Sequence, residues 1–266
     1  MKILRTVPEA RSALSPEGVG LVPTMGALHA GHVALFETAR RESDVVVASI
    51  FVNPAQFGEE EDFERYPRGE EVDAALAEAA GVDYLFVPSV EEMYPEDFGT
   101  WVEIEGLSDE LEGSARPGHF RGVATVCLKL FNIVRPDRAY FGQKDAQQAA
   151  VLERLVSDLN LELEIRVVPT VRDADGLAVS SRNAYLSSEE REAALALPRA
   201  LVAGAEAFRR GDDAVATART VLAEEPGLEP EYVEVARLDG RVYLLAAAHA
   251  GRTRLIDNVV LEGDLS

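Results

Sequence analysis

Four short stretches of this chain gather the side chains that could do chemistry. The first is Pro23-Thr24-Met25-Gly26-Ala27-Leu28-His29-Ala30-Gly31-His32. Two imidazoles at i and i+3 at a helix start share one face. The free N–H groups and dipole of that helix end favour an anion. Gly26 and Gly31 would let backbone approach a ligand closely. Imidazoles so placed can donate hydrogen bonds to phosphate oxygens and stabilise charge that grows during phosphoryl or nucleotidyl transfer. Two other readings stand beside this one. Zinc would need at least a third ligand, for which His119 is the obvious donor. A pair of surface or helix-capping histidines is the plain alternative.

The second stretch is Phe51-Val52-Asn53-Pro54-Ala55-Gln56-Phe57. Pro54 keeps Asn53 out of helical geometry, so Gln56 projects from a turn. Its amide both donates and accepts, which suits a substrate carrying hydroxyl and carboxylate; for this segment alone a purely structural turn is the preferred reading. The third is Phe141-Gly142-Gln143-Lys144-Asp145-Ala146-Gln147-Gln148. Here Lys144 falls at a helix start, where a bare cation is unfavourable; a bound phosphate would explain it, and a solvated lysine is the plain alternative. The fourth is Asp175-Gly176-Leu177-Ala178-Val179-Ser180-Ser181-Arg182-Asn183, where two hydroxyls and a guanidinium follow a glycine turn and could grip phosphate oxygens. Gly113-Ser114-Ala115-Arg116-Pro117-Gly118-His119-Phe120-Arg121-Gly122, a small-residue stretch with two arginines, reads as a closing flap or a plain connection. The acidic run Glu59-Glu60-Glu61-Asp62 reads as a solvated surface, with magnesium binding the minority reading.

The elements that must position these groups alternate. Residues 19–24 read as a buried strand, 29–43 as a helix, and 45–52 as an apolar β-branched strand covered on both faces. Helix over 70–80, strand over 83–88, helix over 122–134, strand over 138–142, helix over 145–159 and strand over 162–168 follow. Strands alternating with helices predict a doubly wound parallel α/β sheet. Ligands bind such sheets beyond the carboxyl ends of the strands, which is where the stretches at Thr24, Val52 and Phe141 fall. After about Pro169 the texture changes: one long helix over 187–210, a second over 212–225, and alternating strands over 232–237 and 254–261 predict a small α+β domain. The expected division is 1–169 and 170–266.

Composition narrows the function classes. The chain has 266 residues and a net charge of −21. That argues against a sequence-independent nucleic-acid coat and against an anchor on anionic lipid, while a local positive site for a small anion survives it. The single cysteine, Cys127, excludes an internal disulfide and reads as a small buried hydrophobe. No signal-peptide pattern and no run near the ~18 apolar residues of a membrane span is visible, so the expected location is the cytoplasm. Lysines are only Lys2, Lys129 and Lys144, and all four glutamines lie within 52–58 and 141–149. Rare polar residues gathered at a few turns point to a site. Neither the P-loop nor the GxGxxG fingerprint occurs.

Taken together and in this order, PTMGALHAGH (23–32), FVNPAQF (51–57), RPGHFRGVATVCLKLFNIVRPDRAYFGQKDAQQ (116–148) and DGLAVSSRN (175–183) resemble the pantoate–β-alanine ligase family, the pantothenate synthetases. The resemblance implies a Rossmann-like nucleotidyltransferase domain related to class I aminoacyl-tRNA synthetases, plus a small C-terminal domain. His29 to His32 stands where the family has its HIGH-type element, and Val179 to Arg182 where it has the counterpart of the KMSKS loop. The implied reaction joins (R)-pantoate to β-alanine through a pantoyl-adenylate made from ATP with Mg²⁺, which is held mainly through the phosphates. Met25, Gly26, His29, Gly31, His32, Gly142, Gln143, Lys144, Asp145, Val171, Val179, Ser180, Ser181 and Arg182 would bind ATP. His32, His29 and Lys144 would be catalytic, His32 being the residue assigned as proton donor. Gln56 and Gln148 would hold pantoate and β-alanine. No protein metal ligand is implied. Val179 stands where the family often has Met, and Gln143 where Glu is common. Because pyrophosphate leaves well with Mg²⁺ attached, charge stabilisation by His32 is expected to outweigh literal proton transfer. A homodimer is implied. Another nucleotidyltransferase with a nucleotide-linked product, or a non-catalytic nucleotide-binding protein, are the rival functions.

Overall fold

Buried apolar runs set the frame. In a computed structural model describing residues 1–14, 17–58 and 62–265, the chain divides into two units. One is Met1–Phe141 with Gln147–Val168, and the other is Gly142–Ala146 with Pro169–Ser266. The single cut expected after residue 169 therefore omits one feature: the short segment Gly142–Ala146 groups with the C-terminal residues. Within that group, the Asn258 side chain donates to the carbonyls of both Gln143 and Lys144.

The first unit runs β1 (Lys2–Leu4), α1 (Val7–Ala13), β2 (Val19–Thr24), α2 (Ala30–Glu42), β3 (Val45–Ile50), α3 (Glu70–Ala79), β4 (Tyr84–Phe86), α4 (Val90–Met93), α5 (Glu112–Ala115), α6 (His119–Val134), β5 (Arg138–Gly142), α7 (Ala146–Asp158) and β6 (Glu164–Val168). The sheet order is β1-β4-β3-β2-β5-β6. The β1–β4, β4–β3, β3–β2 and β2–β5 pairings are parallel. Val19, Leu21, Val22, Val46, Val47 and Ala48 are wholly buried, because helices cover both faces and the central strands need no polar side. Successive strands step outward from β2 through β3 to β4, and β5 and β6 then add on the other side of β2. The switch point lies between the carboxyl ends of β2 and β5, the crevice such sheets offer to ligands. The sheet is Rossmann-like and doubly wound, as the strand–helix alternation predicts.

Boundaries differ where turns intervene. The helix expected over 122–134 begins three residues earlier, at His119, after Gly118 at φ 84°. Lys144 lies in a 3-10 turn, Gln143–Asp145, directly ahead of α7.

The second unit holds α8 (Ser188–Ala194), α9 (Ala196–Arg210), α10 (Ala214–Ala223), β7 (Leu228–Leu238), β8 (Arg241–Ala250) and β9 (Thr253–Glu262). These strands form an antiparallel sheet, β7-β8-β9. Leu197, Leu201, Leu222, Leu228, Val233 and Leu244 form its core. The single long helix expected over 187–210 is two helices. Pro198 has no N–H for the carbonyl of Ala194, and its ring would collide with that carbonyl, so the helix ends at Ala194 and restarts at Ala196. Strand β8 has no counterpart in the sequence reading. Its Leu-Leu-Ala-Ala-Ala run has weak strand propensity, and pairing on both edges overrides it.

Candidate active site

The turn that leaves β2 is fixed by buried polar groups. Thr24 Oγ1 donates to the carbonyl of Ser49 (2.6 Å) and accepts from Gly26 N–H (3.1 Å). Gly26 has φ 82° and Ala27 has φ 50°, a conformation that a residue with a Cβ holds only when its surroundings impose it. Asp73 of α3, buried to 4% exposure, imposes it. Its carboxylate accepts from Ala27 N–H at 2.9 Å and from Leu28 N–H at 2.8 Å. A Cβ on Gly26 would lie 2.9 Å from that carboxylate. The glycine therefore leaves room for the Asp73 clamp.

His29 caps α2 in extended conformation. Its Nδ1 accepts from Gly31 N–H at 3.1 Å, and His29 N–H donates to Nδ1 of His32 at 3.2 Å. This is a capping box built from two imidazoles, with ring centroids 4.1 Å apart. Capping and chemistry, posed above as alternatives, are thus compatible. Because a backbone N–H can only donate, each Nδ1 must be the bare nitrogen, and each neutral ring carries its proton on Nε2. Gly31 makes room for this: a Cβ there would sit 2.9 Å from the His29 ring.

Gln56 is buried and fully organised. Asn53, 1% exposed, donates to Gln56 Oε1 (3.0 Å) and to the Gly122 carbonyl (3.2 Å), and accepts from Tyr94 Oη–H (2.9 Å). Burial pushes the Tyr94 phenol upward, so it stays a donor. Gln56 Nε2 then points at Met25 Sδ, 3.3 Å away, which brings two predicted site residues together. The Gln56 carbonyl is held by His119 Nδ1 at 2.9 Å and Arg116 Nη2 at 3.4 Å. Arg116 Nη1 lies 3.0 Å from the other ring nitrogen of His119. With both nitrogens engaged, His119 is not a third ligand for a metal at His29 and His32. Among the described residues no group of three or more His, Cys, Asp or Glu side chains is gathered as a metal site. Gly122 approaches so closely that a Cβ would lie 2.3 Å from the Ala55 carbonyl. The last four residues of the expected flap, His119 to Gly122, therefore form a packed first turn of α6. Glu59, Glu60 and Glu61 lie outside the described residues.

The two adjacent glutamines of α7 divide. Gln147, 2% exposed, donates to the Leu107 and Glu110 carbonyls and accepts from Glu112 N–H, which makes it a strut for the 107–112 loop. Gln148 is half-buried.

In the second unit, Gly142, Gln143, Lys144 and Asp145 form the turn under Asn258. Lys144 is half-buried, and among the described residues it forms no ion pair. Val171 and Val179 face each other across a tight hairpin, the Val179 N–H donating to the Val171 carbonyl at 3.0 Å, with Gly176 at φ 94°. Arg191 ties Asp173 and Asp175 at its tip. Ser180 accepts from Arg182 N–H at 3.3 Å and caps the 3-10 turn Ser181–Tyr185. Sequence reasoning missed Asp73, Asp257 and Asn258. For the last two a signal existed: Asp and Asn side by side in the middle of an apolar strand, where both are disfavoured.

A family model for pantoate-beta-alanine ligase matches residues 2–260. The pantothenate synthetase of Moorella thermoacetica is 52% identical over 280 residues, covering 98% of this chain and 99% of that protein. That of Chloroflexus aurantiacus is 55% identical, covering 99% of each. The crystal structure of the pantothenate synthetase from Thermus thermophilus superposes with TM-score 0.96 at 49% identity, covering 99% of this chain and 100% of that one. A pantoate-beta-alanine ligase from Francisella tularensis, solved with beta-gamma ATP and beta-alanine, has TM-score 0.82 at 36% identity over the whole of both chains. Among the described residues no helix is long and apolar enough to cross a membrane. The chain belongs to the pantoate-beta-alanine ligase family, the pantothenate synthetases, and is a ligase.

Proposed function

We propose that this ligase condenses (R)-pantoate with β-alanine in two steps, using the residues described above. A pantoate carboxylate oxygen attacks the α-phosphorus of Mg-ATP, and the bond to the β-phosphate breaks to release pyrophosphate. The β-alanine amine then attacks the acyl carbon, the acyl–phosphate bond breaks to release AMP, and the amine loses its proton to solvent. Mg²⁺ arrives as part of the nucleotide substrate and neutralises charge on the departing pyrophosphate.

The observation that carries the reading is the imidazole capping box. With Nδ1 of each ring accepting a backbone N–H, His29 and His32 are neutral rings with Nε2–H donors at a helix start. A neutral imidazole N–H is far too weak an acid to give up its proton here, but it is a good hydrogen-bond donor to phosphate oxygens. His32 therefore stabilises charge growing on the triphosphate, helped by the N-terminal dipole of α2. Met25, Gly26 and Gly31 complete this phosphate-binding turn. Gln56 and Gln148 are assigned to pantoate and β-alanine, Gln56 because Asn53 fixes which way its amide points. Gly142 to Asp145, Val171 and Val179 to Arg182 are assigned to ATP, with Lys144 catalytic as a positive charge opposite the phosphates. A homodimer working in the cytoplasm completes the proposal, and light scattering of the purified chain tests the dimer.

The test is one incubation with ATP, Mg²⁺, pantoate and β-alanine, read by mass spectrometry, with each component omitted in turn. Pantothenate and AMP are expected only when all four are present. A stable nucleotide conjugate as end product would overturn the ligase reaction, and ATP binding without pyrophosphate exchange on adding pantoate would overturn catalysis altogether.

A further inference from the structure

Asn258 stands in the middle of β9 with 1% exposure, and every hydrogen-bonding group of its amide is spoken for. Its two N–H bonds go to two successive carbonyls, Gln143 and Lys144, each at 2.9 Å, and its oxygen accepts from Gln143 Nε2 at 3.1 Å. Its neighbour Asp257, 3% exposed, accepts both arms of Arg172 at 2.6 and 3.0 Å and also Asn258 N–H at 2.8 Å. Arg172 in turn donates to the Gly176 carbonyl at 3.2 Å. One dipeptide thus fastens two stretches of the second unit to β9: the Gln143–Asp145 turn and the hairpin that carries Val171 and Val179.

We propose that Asn258 is a positioning residue for the adenylation step, fixing the Gln143–Lys144 turn so that the Lys144 ammonium is held against the nucleotide. This rests on the ATP-binding reading of Lys144 given above. Strand packing alone does not explain the pair. A Val at 258 would suit the strand better and would bury no amide, whereas an amide with all its partners selects one turn geometry and leaves any other unsatisfied. Asp257 fixes the backbone from which that amide reaches.

The experiment is a double-mutant cycle on the purified full chain, with steady-state kinetics in ATP, steady-state kinetics in pantoate, and thermal melting. Lys144→Ala is expected to lower kcat/KM for ATP by at least ~10²-fold, or ~2.7 kcal/mol. Asn258→Ala is expected to lower it by about 10-fold or more, with the pantoate KM within about 2-fold. Because both changes act through one ammonium, the double variant is expected within about 3-fold of Lys144→Ala alone. Multiplying effects, or a loss under about 3-fold for Asn258→Ala, would overturn the positioning role and leave Asn258 as a strut of the strand. Lys144→Ala losing less than about 5-fold would instead overturn the reading of Lys144 itself. Should Asn258→Ala melt below the assay temperature, Asn258→Thr replaces it. Thr is strand-compatible, but its single hydroxyl cannot serve two carbonyls, so the same kinetic loss is expected from a folded enzyme.

Discussion

Asp73→Asn exchanges one carboxylate oxygen for an amide nitrogen and changes almost nothing else. In the native chain the two oxygens accept Ala27 N–H at 2.9 Å and Leu28 N–H at 2.8 Å. In the variant one of those N–H groups must face an NH₂. Losing a hydrogen bond to a charged acceptor costs about 1.5–3 kcal/mol, and a buried N–H left unsatisfied adds about 1–3 kcal/mol. A loss near 3–5 kcal/mol in the first unit corresponds to a fall of roughly 6–20 °C in melting temperature for a chain of this size, read by calorimetry. The kinetic consequence follows from Ala27. Its φ of 50° relaxes once the clamp is gone, and His29 sits two residues on. A displacement of about 1 Å at the imidazole box is enough for a ~10²-fold loss in kcat/KM for ATP. A variant that melts within about 2 °C of the native chain and keeps its ATP kinetics within about 3-fold would show that Thr24 and the helix hold the turn unaided.

The remaining expectations are simpler. Gly31→Ala places a methyl 2.9 Å from the His29 ring. It should cost at least about 10-fold in kcat/KM for ATP while leaving α2 as stable or stabler, since Ala favours helix by about 1 kcal/mol; unchanged kinetics would refute the packing role of Gly31. Gln148→Ala should raise the pantoate KM much more than the ATP KM, and equal changes would remove it from the pantoate site. The Glu42 carboxyl is held low by its hydrogen bonds and charge pairing with Arg166. A depressed carboxyl stabilises the fold above its unfolded value near 4.3 and loses that contribution as pH falls. Glu42→Gln should therefore lower the melting temperature by roughly 2–4 °C at pH 7, for about 1 kcal/mol. At pH 4 the gap should shrink, and a gap that widens on acidification would refute the sign.

What the chain discloses in advance follows from period and punctuation. The run 45–52 lacks a polar alternate, so a strand covered on both faces is the only economical reading, and Val46, Val47 and Ala48 are wholly buried. The histidine turn, the Asn-Pro turn and the Lys144 turn stand out by residue type. Hidden from that reading is what happens between distant segments. Asp73 looks like one more acid in Glu70-Glu71-Val72-Asp73, and only its approach to Ala27, 46 residues earlier in the chain, gives it a purpose. Strand β8 is alanine-rich and becomes a strand through its neighbours, β7 and β9. Pro198 was available to the eye as a helix breaker, yet the surrounding Ala, Leu and Glu outweigh it in a composition-led reading; sterics at Ala194 decide otherwise.

The choice of imidazole for the capping box is itself informative. A serine at the cap and a glutamate three residues on would satisfy the same N–H groups and serve the helix at least as well. The glutamate, however, would bring a negative charge to the end of α2 that the proposal offers to a triphosphate. A serine hydroxyl could accept the cap N–H and still donate, but it would do both from one atom on a freely rotating arm. Imidazole resolves both conflicts, because its two nitrogens lie on different edges of one rigid ring. Nδ1 accepts the backbone N–H, and that same bond dictates that the proton sits on Nε2. The structural bond thus selects the tautomer that the proposed chemistry needs, and the donor arrives already oriented. By the same logic, protonating Nδ1 would sacrifice the cap at the moment the ring gained its positive charge. With the rings held neutral and correctly turned by these bonds, the proposal assigns His32 to charge stabilisation and not to proton transfer.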